Sequence, residues 1–263
     1  MLSDSNARLA AARRLTSPRG RRETGRFLAE GAQVVREALH RPDTVVELFG
    51  TTDALRRNPD LRALAADLPL DEISAKSAAA LSETVSPQGL VAVCRVVDLP
   101  LQSVLARRPR LVVVLVEAND PGNAGAVLRT ADAAGADAVI FAGDSVDPYN
   151  GKAVRATAGS LFHLDIVTGV TPLEAIASCR RAGLLTLATT GGGSDDLDQL
   201  VDTGRLASPT AWVFGNEARG LAAQAIEAVD LSVRVPIHGQ AESLNLAAAA
   251  AVCLYASARE QRR

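Results

Sequence analysis

The chain has 263 residues, 48% hydrophobic and 22% charged, which suffices for a packed core and excludes global disorder. It carries 28 Lys/Arg against 30 Asp/Glu, a formal net charge of −2, and that average argues against a nucleic-acid partner. Aromatic residues make up only 3%, so Ala, Val and Leu must build the core, and small side chains suit the close layers of an α/β protein.

Residues 1–16 read as a helix with a sparse apolar stripe of Leu2, Leu9, Ala12 and Leu15, broken by Ser17-Pro18-Arg19-Gly20. The short apolar run Phe27–Glu30 precedes Gly31 and an amphipathic helix over 32–39. A strand over Thr44–Phe49 follows. Helix over 52–66, extended chain at Leu70–Ile73, helix over Ser74–Glu83 and a strand over Gly89–Val96 complete a small alternating α/β unit. Residues 98–110 hold Pro100, Pro109 and three Arg and read as a linker. Leu111–Val116 is an unbroken apolar run, the pattern of a strand buried on both faces of a parallel sheet. Further strands are predicted at Ala138–Ala142, His163–Ile166, Leu184–Thr189, Ala211–Phe214 and Leu231–Val235. Helices are predicted over Gly125–Ala134, Thr171–Ala182, Leu221–Ala228 and Leu244–Arg259. Strand–helix alternation predicts a parallel sheet covered on both faces. The domain boundaries that follow are 1–97, a linker at 98–110, and 111–263.

Charge is distributed unevenly between these parts. Residues 1–110 carry 17 basic against 13 acidic side chains, and residues 111–263 carry 11 against 17. Seven Arg fall within residues 1–26, including Arg19, Arg21, Arg22 and Arg26. Such a run fits either a solvated face or a partner held through its phosphates. Only Lys76 and Lys152 are lysines, so arginine preference is a property of the whole chain and by itself says nothing of phosphate recognition. Cys94, Cys179 and Cys253 are isolated, and the three His are scattered, so neither a disulfide framework nor a metal site is expected. The isolated cysteines make a reducing cytoplasm the expected setting; no apolar run of about 18 residues is present to span a bilayer, and no basic-then-apolar segment opens the chain.

Ligands of parallel α/β sheets collect where strands end and helices begin, and three such junctions have unusual composition. The first, Glu117–Ala131, runs from a strand through Asn-Asp-Pro-Gly into a small-residue helix containing Asn123 and Arg129. Read as plain strand–turn–helix, Asn123 is an N-cap and Arg129 a surface residue. Neither GxGxxG nor a Gly-Lys-Ser/Thr phosphate loop is matched. The second, Trp212–Leu221, places Gly215, Asn216, Glu217 and Gly220 after a strand, and its acid also fits a simple helix-dipole contact. The third, Val235–Leu246, carries Val235, Ile237, Ser243, Leu244, Asn245 and Leu246 ahead of an alanine-rich helix, with Ser243 a plausible N-cap.

Asn-x-Gly-x-x-x-Arg-Thr-Ala, Gly-Asn-Glu-x-x-Gly-Leu and Pro-Ile…Ser-Leu-Asn, in this order over residues 111–260, resemble the three motifs of the SpoU (TrmH-type) branch of the SPOUT methyltransferases. The form of the last motif is similar to that of the ribosomal RNA ribose methyltransferases, including the thiostrepton-resistance type. Residues 1–97 resemble, by position and α/β pattern, the L30e-like substrate-binding domain of many such enzymes. The resemblance implies a deep trefoil knot, an exception to the rule against knotted folds. It also implies methyl transfer from S-adenosylmethionine to a ribose 2′-hydroxyl of RNA, with 23S rRNA the expected substrate. A tRNA substrate and a non-catalytic RNA-binding paralogue remain as alternatives. Cofactor contacts are implied for Thr189, Gly215, Asn216, Gly220, Val235, Ile237, Leu244 and Leu246, and catalytic or positioning roles for Arg129, Asn123, Glu217, Ser243 and Asn245. A guanidinium stays protonated, so Arg129 is expected to orient the ribose, stabilise an oxyanion or clamp a phosphate as readily as to act as a base. The resemblance further implies a homodimer through the knot region, no metal, and RNA contact through Arg19, Arg21, Arg22 and Arg26.

Overall fold

The computed structural model describes residues 1–65 and 68–263. Two compact units emerge, one of residues 1–97 with 147–163, the other of residues 98–146 with 164–263.

In the first unit, β1 (Arg26–Glu30), β2 (Val45–Gly50), β3 (Leu70–Glu72) and β4 (Leu90–Arg95) form a sheet in the order β1-β4-β2-β3. Helices Ala7–Arg14 and Ala75–Ala80 cover one face through Leu9, Ala12, Ala78 and Leu81, which cluster with Leu28, Phe49, Val91 and Val93. Side chains alternate along a strand, so Phe27 faces the other way, and there it meets Tyr149 and Phe162 at ring-centroid distances of 4.7 and 6.1 Å. The Tyr149 hydroxyl also accepts a hydrogen bond from the Val97 amide at 3.1 Å. Residues 147–163, which the sequence places between two strands of the second sheet, thus belong to the first unit. Ser17-Pro18 starts a second helix, Pro18–Thr24, with Ser17 capping it and Pro18 in its first turn. The helix expected over 52–66 is split at Asn58-Pro59 into Thr52–Arg57 and Asp60–Leu64; its last expected residue, Ala66, lies outside the described residues.

In the second unit seven parallel strands run in the order β7-β6-β5-β10-β8-β11-β9. They are β5 (Leu111–Val116), β6 (Ala138–Ala142), β7 (Asp165–Val170), β8 (Leu185–Thr189), β9 (Asp195–Asp196), β10 (Thr210–Phe214) and β11 (Leu231–Arg234). All six residues of β5 are buried, as its unbroken apolar run predicts. Val112, Val114 and Val116 share a core with Ala175, Ile176 and Cys179 of the helix Pro172–Arg181. Helices Pro121–Ala134 and Leu246–Glu260 pack against each other and hold Ser257 where its hydroxyl accepts from Trp212 Nε1 at 2.8 Å. The presumed linker 98–110 is not one: it forms the helix Leu101–Leu105, whose Leu101, Val104 and Leu105 are buried in this unit's core. Their i, i+3, i+4 spacing is the helical signal that the flanking prolines obscure.

Cys94, Cys179 and Cys253 are buried free thiols. Burial alone pushes all three above the ordinary thiol value, Cys179 to about 12, so they behave as small apolar residues. Among the described residues, no helix is long and apolar enough to cross a membrane.

Candidate functional site

The sheet of the second unit changes winding direction around β5, β10 and β8, the place where parallel sheets form a crevice at their carboxyl ends. A cavity of about 430 Å³ opens there, within the range of small-molecule sites. Thr189 reaches it from the end of β8, Gly215, Asn216, Glu217 and Gly220 from the chain after β10, and Val235, Ile237 and 242–246 from the chain after β11.

The local structure around these residues is explained by a few caps and one tight turn. Asp120, not Asn123, caps the helix Pro121–Ala134: its carboxylate accepts the Asn123 amide at 2.7 Å. The Asn123 side chain is thereby released to face two other segments. Its Nδ2 donates to Glu217 Oε1 at 3.2 Å, and its Oδ1 accepts from Asn245 Nδ2 at 3.0 Å. The Glu217 carboxylate also lies 3.4 Å from the amides of Asn119 and Asp120, at the positive end of this helix. Asn245, rather than Ser243, caps the final helix by accepting from the Ala247 amide at 2.9 Å. One polar chain, Asn245–Asn123–Glu217, thus ties the three junctions together.

Asn216 is 7% exposed. Its Nδ2 donates to the Glu117 carbonyl at 2.8 Å, and its Oδ1 accepts from the amides of Ala218 and Arg219. Its backbone exchanges two hydrogen bonds with Gly220, at 3.1 and 2.8 Å. Gly220 has φ +66°, and a Cβ on Gly215 would fall 2.6 Å from the Gly220 oxygen and the Leu221 nitrogen. Both glycines are therefore required by geometry, one by its left-handed backbone and the other by close approach. The other side is formed by residues of the chain after β11. The amides of Ile237, Leu244 and Leu246 make no hydrogen bond among the described residues, and unpaired amides beside a cavity favour a ligand with acceptors.

Arg129 departs from expectation. It is exposed on the helix Pro121–Ala134, does not line the cavity, and neither Glu217 nor any other described residue engages its guanidinium. Ser243 lines the cavity without a hydrogen bond. In the first unit Arg21 is buried, contrary to its expected RNA contact. Its Nε pairs with Asp147 Oδ2 at 2.7 Å, and it donates to the Leu15 and Thr16 carbonyls. Arg19 is exposed and pairs with Glu23, while Arg22 and Arg26 are exposed with no partner among the described residues. Sequence reading missed Glu117, whose φ of +51° at the end of β5 is rare for a non-glycine residue and which pairs with Arg219 at 3.0 Å. It also missed Glu242 and Leu221 in the cavity wall. Among the described residues no cluster of three or more His, Cys, Asp or Glu is placed to hold a metal.

The profile of the SpoU rRNA Methylase family matches residues 110–255, and that of the MRM3-like substrate binding domain matches residues 6–92. The chain is 34% identical over 256 residues to the 23S rRNA (guanosine(2553)-2′-O)-methyltransferase RlmP of Bacillus subtilis, covering 96% of each. An AdoMet-bound rRNA methyltransferase from Sinorhizobium meliloti superposes with a TM-score of 0.85 at 30% identity, over 98% of this chain and 97% of that one. The SpoU methyltransferase AviRb from Streptomyces viridochromogenes in complex with AdoMet gives 0.82 at 28% identity, over 98% of both.

Proposed function

Since the chain belongs to the SpoU rRNA methylase family, we propose that it transfers a methyl group from S-adenosylmethionine to a ribose 2′-hydroxyl of 23S rRNA in the cytoplasm. The observation that carries this reading is the convergence of all three junctions on one cavity through Asn245, Asn123 and Glu217.

The residues present fit the cofactor. The cavity has nucleoside dimensions, an apolar wall of Leu221, Val235, Leu246 and Ala249, a glycine-lined entry at Gly215, and unpaired amides at Ile237, Leu244 and Leu246. Bound there, S-adenosylmethionine supplies a sulfonium-activated methyl group. The chain's own task is to hold the 2′-oxygen in line with that methyl and to favour charge as it develops on the oxygen. None of the matched residues is a neutral base, so the proton of the 2′-hydroxyl leaves to solvent water as the oxygen takes the methyl group and the cofactor departs as its thioether. The Glu217 oxygens are approached by three N–H donors, which suits a carboxylate that orients Asn123. Asn123 and Asn245 position the ribose from the helix ends they occupy. Arg129, permanently charged, clamps the phosphate next to that ribose or stabilises the oxygen.

The trefoil knot and an L30e-like character of residues 1–97 are part of this reading. A homodimer is also part of it. Leu246, Cys253 and Leu254 of the last helix are buried, but Val252 and Tyr255 stand 43% and 54% exposed, with Leu244 at 38%. A second copy covering that face would bring outside residues to the cavity, and the exposed position of Arg129 is compatible with such a composite site.

The test is transfer of labelled methyl groups to 23S rRNA fragments and to tRNA by wild type and Arg129→Ala. The reading requires 2′-O-methylated rRNA and a strongly impaired variant. Full activity of the variant, or methylation only on a base, refutes the mechanism, and methylation of tRNA alone refutes the substrate.

A further inference from the structure

At the opposite end of the second unit's sheet, where β8, β10 and β11 begin, a second cleft of about 740 Å³ is lined by Arg180, Arg181, Arg205, Ser208, Gly183 and Asp230, among others. The unit around it is acidic, with 12 Arg against 17 Asp/Glu, so a cleft lined by three arginines and one acid runs against the local average. That acid is occupied. Asp230 Oδ1 pairs with Arg180 Nε at 3.0 Å, and its Oδ2 accepts from the Thr186 amide and hydroxyl at 2.9 and 2.8 Å. Arg180 and Arg181 end the helix Pro172–Arg181, and the helix dipole alone explains cations there. It does not explain Arg205, which comes from the short turn Arg205–Ala207, is exposed, and has no partner among the described residues. Arg181 spends one nitrogen on Ser178 at 2.9 Å. Two guanidiniums therefore face the cleft without a carboxylate of their own.

We propose that this arginine cleft is a second contact surface for the substrate RNA, holding backbone phosphates away from the methylated ribose; the inference rests on the RNA reading above. Charge selects an anionic partner. Among the described residues no aromatic side chain lines the cleft, so bases have no surface to stack on, and contact falls to phosphates, which position a nucleic acid without reading its sequence. The glycine, alanine and serine among the lining residues let a backbone approach. Strands of about 5 residues separate the cleft from the cofactor cavity by roughly 16 Å, so one RNA chain wrapped around the unit's edge reaches both.

The experiment measures binding of an rRNA fragment across a salt series for wild type, Arg205→Ala, Arg181→Ala/Arg205→Ala and Arg205→Lys. Each alanine should weaken binding about three- to tenfold and lower the log–log salt slope by roughly 0.7 per lost phosphate contact. Arg205→Lys should keep most of the slope, and S-adenosylmethionine affinity should not change. Unchanged RNA affinity and slope in the double variant, with RNA that wild type binds, overturns the proposal. So does a loss of affinity that follows a loss of self-association, which assigns the cleft to a second copy of the chain. If wild type neither binds nor methylates RNA, the functional reading itself fails and takes this inference with it.

Discussion

Replacing Gly215 with Ala tests whether the wall of the cofactor cavity depends on backbone contact. The new Cβ would stand 2.6 Å from the Gly220 oxygen and from the Leu221 nitrogen, against about 3.5–4.0 Å for relaxed carbon contacts. The obstacle is backbone on both sides, so no side chain can swing away, and the Gly215–Leu221 turn must open by about 1 Å. That opening strains the paired Asn216–Gly220 hydrogen bonds at 3.1 and 2.8 Å. Two such bonds at about 1 kcal/mol each, or overpacking of about 1–3 kcal/mol, give the same expectation of about 2 kcal/mol. For a unit of this size the melting temperature should fall by about 4–8 °C. If the bound state requires the closed turn, cofactor affinity should fall about 30-fold. Gly192→Ala is the matched control, because a Cβ there meets nothing within 4 Å. Calorimetric titration with S-adenosylmethionine and a thermal melt read both quantities. Wild-type affinity together with a wild-type melt for Gly215→Ala would show that the turn is slack and refute the reasoning.

Other outcomes follow from the same contacts. Arg21→Ala removes a buried guanidinium from Asp147 and two carbonyls and should cost about 2–3 kcal/mol of stability in a denaturant titration, chiefly from the carbonyls left unpaired. Arg22→Ala, on an exposed side chain, should leave that titration within about 0.5 kcal/mol of wild type, while weakening RNA binding at low salt. The three buried thiols should resist an aromatic disulfide reagent at pH 8 and react together once guanidinium unfolds the chain; prompt labelling of the native protein contradicts their burial. Burial raises the Asp230 carboxyl, but hydrogen bonds from Thr186 and the nearby Arg180 guanidinium outweigh it and hold the group below the usual carboxylate range. A depressed folded value stabilises at neutral pH and loses that contribution as pH falls below the ordinary value of about 3.9. The stability gap between wild type and Asp230→Asn should therefore stay constant from pH 7 to about pH 5 and narrow only as pH falls below about 4, and a gap that stays constant below about pH 4 would contradict this.

Local and periodic features were legible in the residues alone. The six-residue apolar run at Leu111–Val116 could be satisfied only by burial on both faces, and it became β5 in a parallel sheet. The resemblance of the three junction motifs to the SpoU family pointed to Gly215, Val235, Ile237, Leu244 and Leu246, which line the cavity, whereas glycine and cap chemistry act within a few positions. Even there, neighbours competed: Asp120 took the cap that Asn123 also suits, and this freed Asn123 to join Glu217 and Asn245 across 94 and 122 residues. Features that depend on which distant surfaces meet became visible only in the folded chain. Tyr149 and Phe162 complete the first unit because Phe27 needs a cover on its outer face. Arg21 leaves the surface because Asp147 arrives beside it, an encounter 126 residues away in the chain. The −2 net charge of the whole chain concealed both a basic first unit and an arginine cleft inside the acidic second one. Composition averages over residues, whereas electrostatic contact depends on the distances that folding sets.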